Sequence, residues 1–502
     1  MTDYKKLQNG SDIRGVAIGG VAGETVNLTP VEAAFIGKAF IRWLRGGDSE
    51  SADKLTVSIG CDSRISGPQL KEGLARGIIS EGAAAFDCGL ASTPAMFMST
   101  VFVETECDGA IMITASHLPY NRNGFKFFTR DGGLNKSDIK YILTIAQQMA
   151  DDEESVPNNG ETALEKMDIM TLYSAHLRQI IIDGTGLPEK PLDGMKIVVD
   201  AGNGSGGFYA RDVLEPLGAD VSGSQFLEPD GTFPNHIPNP ENKEAMAAIS
   251  SRVLETKADF GIIFDTDVDR SSAVDGYGRE IARNGIVAMA AALVAEDYPG
   301  TTVVTDSITS TQLTDFIENK LGLIHLRFKR GYKNVINKAL DLNAEGTDSQ
   351  LAIETSGHAA LKENYFLDDG AYLATKIVIK AARLKMEGLD ISSVIEDLRD
   401  PLEELEIRIP IRGEDFGEYG DKVLEDLKAK VAETSRLSLE EPNYEGVRIN
   451  FPEGWCLLRK SLHDPIMPMN IAADKAGGAE IIKGWMREFL ADYNRLDMES
   501  FN

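Results

Sequence analysis

Ser116 and His117 stand side by side between a short apolar run, Ile111-Met112-Ile113, and the turn formers Pro119, Asn121, Asn123 and Gly124. That order predicts a loop hanging from a buried strand. A second apolar run, 125–128, resumes at once and carries a single lysine, Lys126. Loops anchored at both ends by buried strands commonly hold reactive groups. A hydroxyl beside an imidazole reads as a nucleophile with help at hand, or as a serine capping a turn next to an idle histidine. Further along, Asp265, Asp267 and Asp269 alternate in DTDVDR after the apolar run 261–264, and Arg270 follows. Three carboxylates aimed at one point repel one another unless a cation joins them, and hard divalent ions take oxygen ligands. Such a trio fills half an octahedron and leaves places for water and a phosphoryl oxygen; a solvated acidic turn is the other reading. Glu354, Ser356 and His358 alternate around Gly357 in ETSGH. An acceptor, a hydroxyl and an imidazole so spaced suit paired sugar hydroxyls.

The elements that must position these groups alternate between strand and helix, which argues for an α/β architecture. Apolar spacing at Ala33, Phe35, Ile36, Ala39, Phe40, Trp43 and Leu44 predicts a helix over 30–45. A strand is expected over 56–60, ending in CDSRISG, and a helix over 70–80. Three segments then share one plan: GAIMITASH, FGIIFDTDVDR and LAIETSGH are each a short apolar strand followed by a polar loop. Each is followed by an Asp-Gly turn, at Asp131-Gly132, Asp275-Gly276 and Asp369-Gly370. Upstream, TVSIGCDS, KIVVDAGNGSG and TVVTDSITS repeat as strand, aspartate, then small residues. Two matched features in the same order, three times over, predict three copies of one α/β unit whose polar loops converge. Past Asp400-Pro401 the pattern changes to LEIRIPI, a charged helix over 421–434 and a final helix. The expected domains are 1–187, 188–299, 300–404 and 405–502, with an acidic loop at 151–162 inside the first. The expected fold is three homologous α/β domains, each a mixed sheet between helices, plus a C-terminal α+β domain of different fold, around a central cleft.

The chain has 502 residues and a formal charge of −28, from 79 acidic and 51 basic residues. Such a field repels nucleic acid and anionic membranes, so neither is expected as a partner. Any site for an anionic substrate must therefore be locally basic. No apolar run approaches the ~20 residues needed to span a bilayer, and the N-terminal stretch lacks the apolar core of a secretory signal. The four cysteines, Cys61, Cys88, Cys107 and Cys456, are scattered without CxxC spacing, consistent with reduced thiols and a cytoplasmic location.

TASHLPYNRNGFK, from Thr114 to Lys126, resembles the phosphoserine loop of the α-D-phosphohexomutases, usually TASHNP followed by N-G-x-K. SDIRG, with Arg14, resembles the family's YDIRG motif, and ETSGH its E-x-S-G-H sugar loop. Lys329-Arg330-Gly331-Tyr332-Lys333 falls where the family has a sugar-specificity loop, and Arg459 and Ser461 fit the R-x-S start of its phosphate-binding loop. The resemblance runs along essentially the whole chain. It implies an isomerase of the phosphoglucomutase/phosphomannomutase kind, interconverting hexose 1-phosphate and hexose 6-phosphate of glucose or mannose. Phosphorylated Ser116 would donate to the sugar, giving a bound hexose 1,6-bisphosphate, and Mg²⁺ would sit on Asp265, Asp267, Asp269 and phosphorylated Ser116. The implied roles are proton handling for Lys126 and His117, and charge stabilisation for Arg14 and Arg270. Glu354, Ser356 and His358 would bind sugar hydroxyls, Lys329, Gly331 and Lys333 would select the sugar, and Arg459 and Ser461 would grip phosphate. The C-terminal domain would close over the substrate, in a monomer or small homo-oligomer.

Three positions depart from the family pattern: Leu118 for the common Asn, and Leu462 and His463 for the usual Asn/Gly-Thr. They motivate an alternative, a catalytically impaired sugar-phosphate-binding protein. Thr355 after Glu354 fits the phosphomannomutase/phosphoglucomutase branch, whereas the phosphoglucosamine mutases, a second alternative, commonly have Gln there. Gly331-Tyr332-Lys333 is nearer the T-G-W-K and T-G-F-K forms than the T-G-H form. GIIFDTDV also resembles the haloacid-dehalogenase-type phosphatases, with Asp265 as nucleophile. Against that, the motif lies mid-chain, Asp269 stands where that pattern has its valine, and the Ser116 loop goes unexplained.

Overall fold

A computed structural model describes residues 2–46, 54–155, 164–187, 189–413, 415–461 and 464–501. These form two compact units, Met1–Leu293 with Ser356–Val394, and Val294–Thr355 with Ile395–Asn502. Leu462, His463 and most of the 151–162 loop lie outside the described residues.

The first unit contains an eight-stranded mixed sheet. Its central strand Gly109–Ile113 is buried at every residue and runs parallel to Thr56–Cys61 and antiparallel to Arg122–Thr129. Burial on both faces explains why this strand reads as an unbroken apolar run instead of alternating. Asp12–Val16 pairs with Arg122–Thr129 and sets Arg14 opposite Gly124, beside the 114–121 loop. Helix Pro30–Leu44 is started by a capping box between Thr29 and Glu32, with Pro30 in its first turn. Helix Gly67–Ser80 begins three residues ahead of the expected 70, because Pro68 is already at ease in a first turn. The two helices cross at backbone contact: a Cβ on Gly77 would lie 1.9 Å from Ala34 O, and one on Gly37 2.5 Å from Leu74 O.

A second, four-stranded sheet places Phe260–Phe264 between Ile197–Asp200, parallel, and Ser271–Asp275, antiparallel. All five residues of Phe260–Phe264 are buried. The DTDVDR loop therefore springs from a rigid strand end and returns into the neighbouring strand. The hairpin Ala359–Leu361/Leu367–Asp368 and helix Gly370–Met386 belong to the same unit. Here one expectation is corrected: Asp369-Gly370 is no turn. Asp369 is extended and its carboxylate accepts from Tyr372 N, making it the N-cap of that helix. An aspartate suits a turn and an N-cap equally, and the sequence does not separate them.

In the second unit Thr302–Thr305 lies between parallel strands Ile324–Arg327 and Ser349–Ile353, with helix Tyr332–Ala344 following the first of these. Its C-terminal part is a five-stranded antiparallel sheet bearing helices Phe416–Ala432 and Gly478–Leu490. Val423, Leu427 and Val431 from one helix, and Ile482, Met486 and Leu490 from the other, bury themselves on Ile409, Ile449, Met467 and Met469. This is the expected change to an α+β domain, with the charged helix beginning at Phe416, ahead of the expected 421.

Candidate active site

Ser116 emerges directly from the buried strand Gly109–Ile113, and its amide donates to Thr114 Oγ1 at 2.9 Å. Its φ is +49°, the left-handed region that a serine adopts at a cost of ~1–2 kcal/mol. Ser116 Oγ donates to Asp265 Oδ2 at 3.0 Å and accepts from Arg270 Nη2 at 2.6 Å. Arg270 is 1% exposed; its Nε and Nη2 both donate to Asp265 Oδ2, at 3.1 and 2.9 Å. Nη2 also donates to His117 Nδ1 at 2.7 Å, and that nitrogen lies 3.4 Å from Ser116 Oγ. A guanidinium only donates, so His117 Nδ1 is an acceptor and the ring is neutral. Burial, and then the Arg270 charge, push the His117 pKa down to about 2. Arg14 lies at the start of the same loop, donating to Thr114 O and to Asp12 Oδ2 at 2.8 Å.

Asp265, Asp267 and Asp269 are buried, with one ligand oxygen from each falling within 4.8 Å of the others. Val268 between them has φ +67°, an outlier for a β-branched residue, and Gly370 N holds its carbonyl at 3.1 Å. From the first sheet, Lys126 Nζ reaches Asp267 Oδ2 at 2.9 Å and also pairs with Asp269. Thr93 adds its amide to Asp267 O at 2.8 Å and its hydroxyl to Asp267 Oδ2. Two oxygens, Asp267 Oδ1 and Asp269 Oδ1, are buried with no hydrogen-bond partner among the described residues. Acceptors left unsatisfied beside hard oxygen ligands are what a divalent cation requires. Burial disfavours the charges of Asp265 and Asp269. Against it, Lys126 and His358 hold Asp269 well below the usual carboxylate range, while burial and the Asp269 charge raise Asp265. Burial would lower Lys126, but Asp267 and Asp269 keep it an ammonium with a raised pKa.

His358 and Ser356 fall in the same unit as this cluster. Backbone bridging of Arg270 to His358 brings the ring's Nε2 to 3.6 Å from Asp269 Oδ2, while Nδ1 lies 2.9 Å from Ser356 Oγ. Gly357 makes this possible: with φ +93°, a Cβ there would meet Ser271 O at 2.5 Å. The remaining sequence candidates belong to the second unit. Glu354 Oε1 accepts from Gly331 N at 2.6 Å, so the acidic residue of ETSGH fixes the basic loop. Lys329 is exposed and Lys333 lies in the first turn of helix Tyr332–Ala344. Arg459 has a buried Nε with no hydrogen-bond partner among the described residues, and burial lowers its pKa. Ser461 Oγ accepts from Asp464 N at 3.2 Å.

Sequence reasoning missed Thr93, which no local pattern marks, and the use made of three aspartates that end the first strand of each repeat. Asp62, Asp200 and Asp306 are all buried. Asp200 binds His236 Nε2 with both oxygens, at 3.0 and 3.1 Å, and steadies a loop whose Ser205 amide donates to Thr266 O at 2.8 Å. Asp306 accepts from Thr355 Oγ1 at 2.8 Å. The repeated strand-then-aspartate plan was the available signal.

Residues 5–154, 172–278 and 283–401 match the phosphoglucomutase/phosphomannomutase alpha/beta/alpha domains I, II and III in turn. A phosphomannomutase/phosphoglucomutase of Pseudomonas putida is 30% identical over 479 residues, covering 95% of each chain. A phosphoglucomutase of Neisseria gonorrhoeae is 30% identical, over 93% of this chain and 94% of its own. The crystal structure of a phosphoglucomutase/phosphomannomutase family protein from Burkholderia thailandensis is similar with a TM-score of 0.78 and 25% identity, covering 99% of both chains.

Proposed function

We propose a mechanism from one premise: this chain belongs to the phosphoglucomutase/phosphomannomutase family and is a hexose-phosphate mutase, an isomerase. In this reading Ser116 carries the phosphoryl group and passes it to a hexose 1-phosphate of glucose or mannose. The sugar oxygen bonds to phosphorus as the Ser116 Oγ–P bond breaks, leaving a bound 1,6-bisphosphate. The intermediate turns over and its other phosphate returns to Ser116, giving hexose 6-phosphate. The proton lost by the accepting hydroxyl is the one Ser116 Oγ regains, and Lys126 is our candidate to relay it. His117, with its low pKa, orients Arg270 by accepting from it. Arg270 and Arg14 stabilise charge on the transferring group, which is how phosphoryl transfer is chiefly catalysed.

Asp265, Asp267 and Asp269, with the phosphoryl group on Ser116, would hold Mg²⁺. The ion supplies positive charge to the phosphoryl oxygens. We assign Glu354, Ser356 and His358 to sugar hydroxyls, and Arg459 and Ser461 to the phosphate that is not being transferred. Lys329, Gly331 and Lys333 select the sugar. The four domains 1–187, 188–299, 300–404 and 405–502 supply these loops in order. The relatives do not favour the phosphoglucosamine, binding-protein or phosphatase alternatives.

The observation that carries the reading is Ser116 Oγ within hydrogen-bond reach of both Arg270 and a carboxylate of the buried trio. In a coupled assay with a trace of the 1,6-bisphosphate, glucose 1-phosphate or mannose 1-phosphate is converted to the 6-phosphate. EDTA stops that turnover and added Mg²⁺ restores it. Intact mass shows one added phosphate, which Ser116→Ala removes. A Ser116→Ala protein that still turns over at the wild-type rate defeats the proposal.

A further inference from the structure

The CDSRISG stretch has no part in the mechanism above, yet its arginine is one of the largest fully buried side chains of the chain. Arg64 Nη1 donates to Pro119 O at 2.7 Å and Arg122 O at 3.0 Å; Nη2 donates to Leu118 O at 2.6 Å and to Ser116 O. Asp62 anchors it from behind, with Oδ1 accepting from Arg64 N at 2.9 Å and Oδ2 in an ion pair with Nε at 3.2 Å. The Phe233 ring covers the guanidinium carbon at 5.1 Å.

We infer that Arg64 is a positioning residue for phosphoryl transfer, holding the Ser116 loop in the strained conformation that presents Oγ to Arg270 and Asp265. This rests on the reading of Ser116 as the phosphoryl carrier. Burying a guanidinium costs several kcal/mol unless its donors are matched. Here one carboxylate balances the charge, and the two terminal nitrogens go to four carbonyls of the stretch from the nucleophile to the start of the next strand, at Ser116, Leu118, Pro119 and Arg122. The carbonyl of Ser116 itself is among them. That matters because Ser116 has φ +49°, a conformation that persists only when its surroundings fix it. If that carbonyl is released the residue can relax toward negative φ, and Oγ then leaves its place 2.6 Å from Arg270 and 3.0 Å from Asp265. Among the described residues Arg64 has no hydrogen bond or ion pair to Ser116 Oγ or to the carboxylate trio, and its bonds all run to the loop, the strand after it and Asp62. A lysine cannot replace it: three donors on one point charge do not span four carbonyls.

The test is Arg64→Lys, which keeps the charge facing Asp62. Its kcat with glucose 1-phosphate or mannose 1-phosphate falls about 100-fold, the effect of a displacement near 1 Å. KM stays within about threefold, because no substrate-binding group is altered. Should Arg64→Lys fail to fold, Phe233→Leu carries the test: the guanidinium remains but loses its cover, and kcat falls about tenfold with KM again unmoved. Far-UV circular dichroism shows the wild-type fold, and kcat stays low when each variant is assayed well below its own melting temperature, which the unpaired carbonyls lower. A merely structural role gives instead a loss that tracks melting temperature and recovers on cooling, and that result overturns the inference, as does an unimpaired kcat. Wild-type protein without turnover on either sugar defeats the carrier reading itself, a failure separate from that of Arg64.

Discussion

Arg270 bonds at once to the hydroxyl of Ser116, the carboxylate of Asp265 and the imidazole of His117. Its removal therefore does more than delete a charge: Asp265 is left buried without its main counter-ion and the serine loses its nearest donor. Arg270→Met is expected to lower kcat by about 10²–10³, the usual range for one preorganised donor at a developing charge. Coupled assay of the purified variant checks this, and a loss below tenfold would remove Arg270 from the proposed chemistry. At this scale the sequence was most informative where reactive residues adjoin one another. Ser116-His117 and the alternating aspartates were legible because each follows at once on a buried apolar strand that the sequence marks plainly. Arg64 and Thr93 were not, since each works through backbone or side-chain atoms far along the chain. The third Asp-Gly misled because a turn and an N-cap favour the same residue.

Among the elements, the crossing of helices Pro30–Leu44 and Gly67–Ser80 gives a prediction in which two effects compete. Gly77→Ala gains ~0.8–1.0 kcal/mol of helix propensity. Against this, its Cβ would lie 1.9 Å from Ala34 O, which is backbone and cannot step aside. Overpacking costs ~1–3 kcal/mol, so urea unfolding should show a net loss of up to about 2 kcal/mol. Helix Gly370–Met386 supplies another. Its N-cap Asp369 is 1% exposed and also accepts from Tyr173 Oη at 2.6 Å and Asn364 Nδ2 at 3.0 Å. Burial outweighs these bonds and raises its pKa from 3.8 to about 6. A raised carboxyl pKa means the folded state holds the proton more tightly, so this contribution is complete below pH 3.8 and is lost as pH rises through 6. At ~1.4 kcal/mol per pKa unit it amounts to about 3 kcal/mol. Asp369→Asn keeps an acceptor for Tyr173 but cannot ionise. Between pH 4 and pH 7 its urea midpoint should therefore fall less, or rise more, than that of the wild type.

For the whole molecule, the division into two compact units bears on how it unfolds. Trp43 lies in the first, Trp455 and Trp485 in the second. A chain of 502 residues with two separately packed units is expected to depart from two-state behaviour. Its calorimetric enthalpy should exceed the van't Hoff value, and fluorescence of a variant keeping only Trp43 should not coincide with that of one keeping only Trp455 and Trp485. Coincident transitions would show that the units melt together. The net charge of −28 was informative in a different way. It demanded basic residues at any anion site, and Arg14, Lys126 and Arg270 meet beside Ser116 within the first unit. The alternation of strand and helix and the change of pattern past residue 400 were plain in the sequence. The way the chain interleaves its units was not, since hydrophobic periodicity says which face is buried but not which partner covers it.

That interleaving constrains synthesis of the chain. Residues 356–394 complete the unit begun by 1–293, but 294–355 leave the ribosome first. Until Gly370 emerges, the carbonyl of Val268 lacks the amide that donates to it, and the Tyr173 hydroxyl lacks its acceptor Asp369. A nascent chain must therefore carry its acidic loop unfinished for about a hundred residues of translation, and a transcript cut short near codon 293 would yield a product with no backing for that loop.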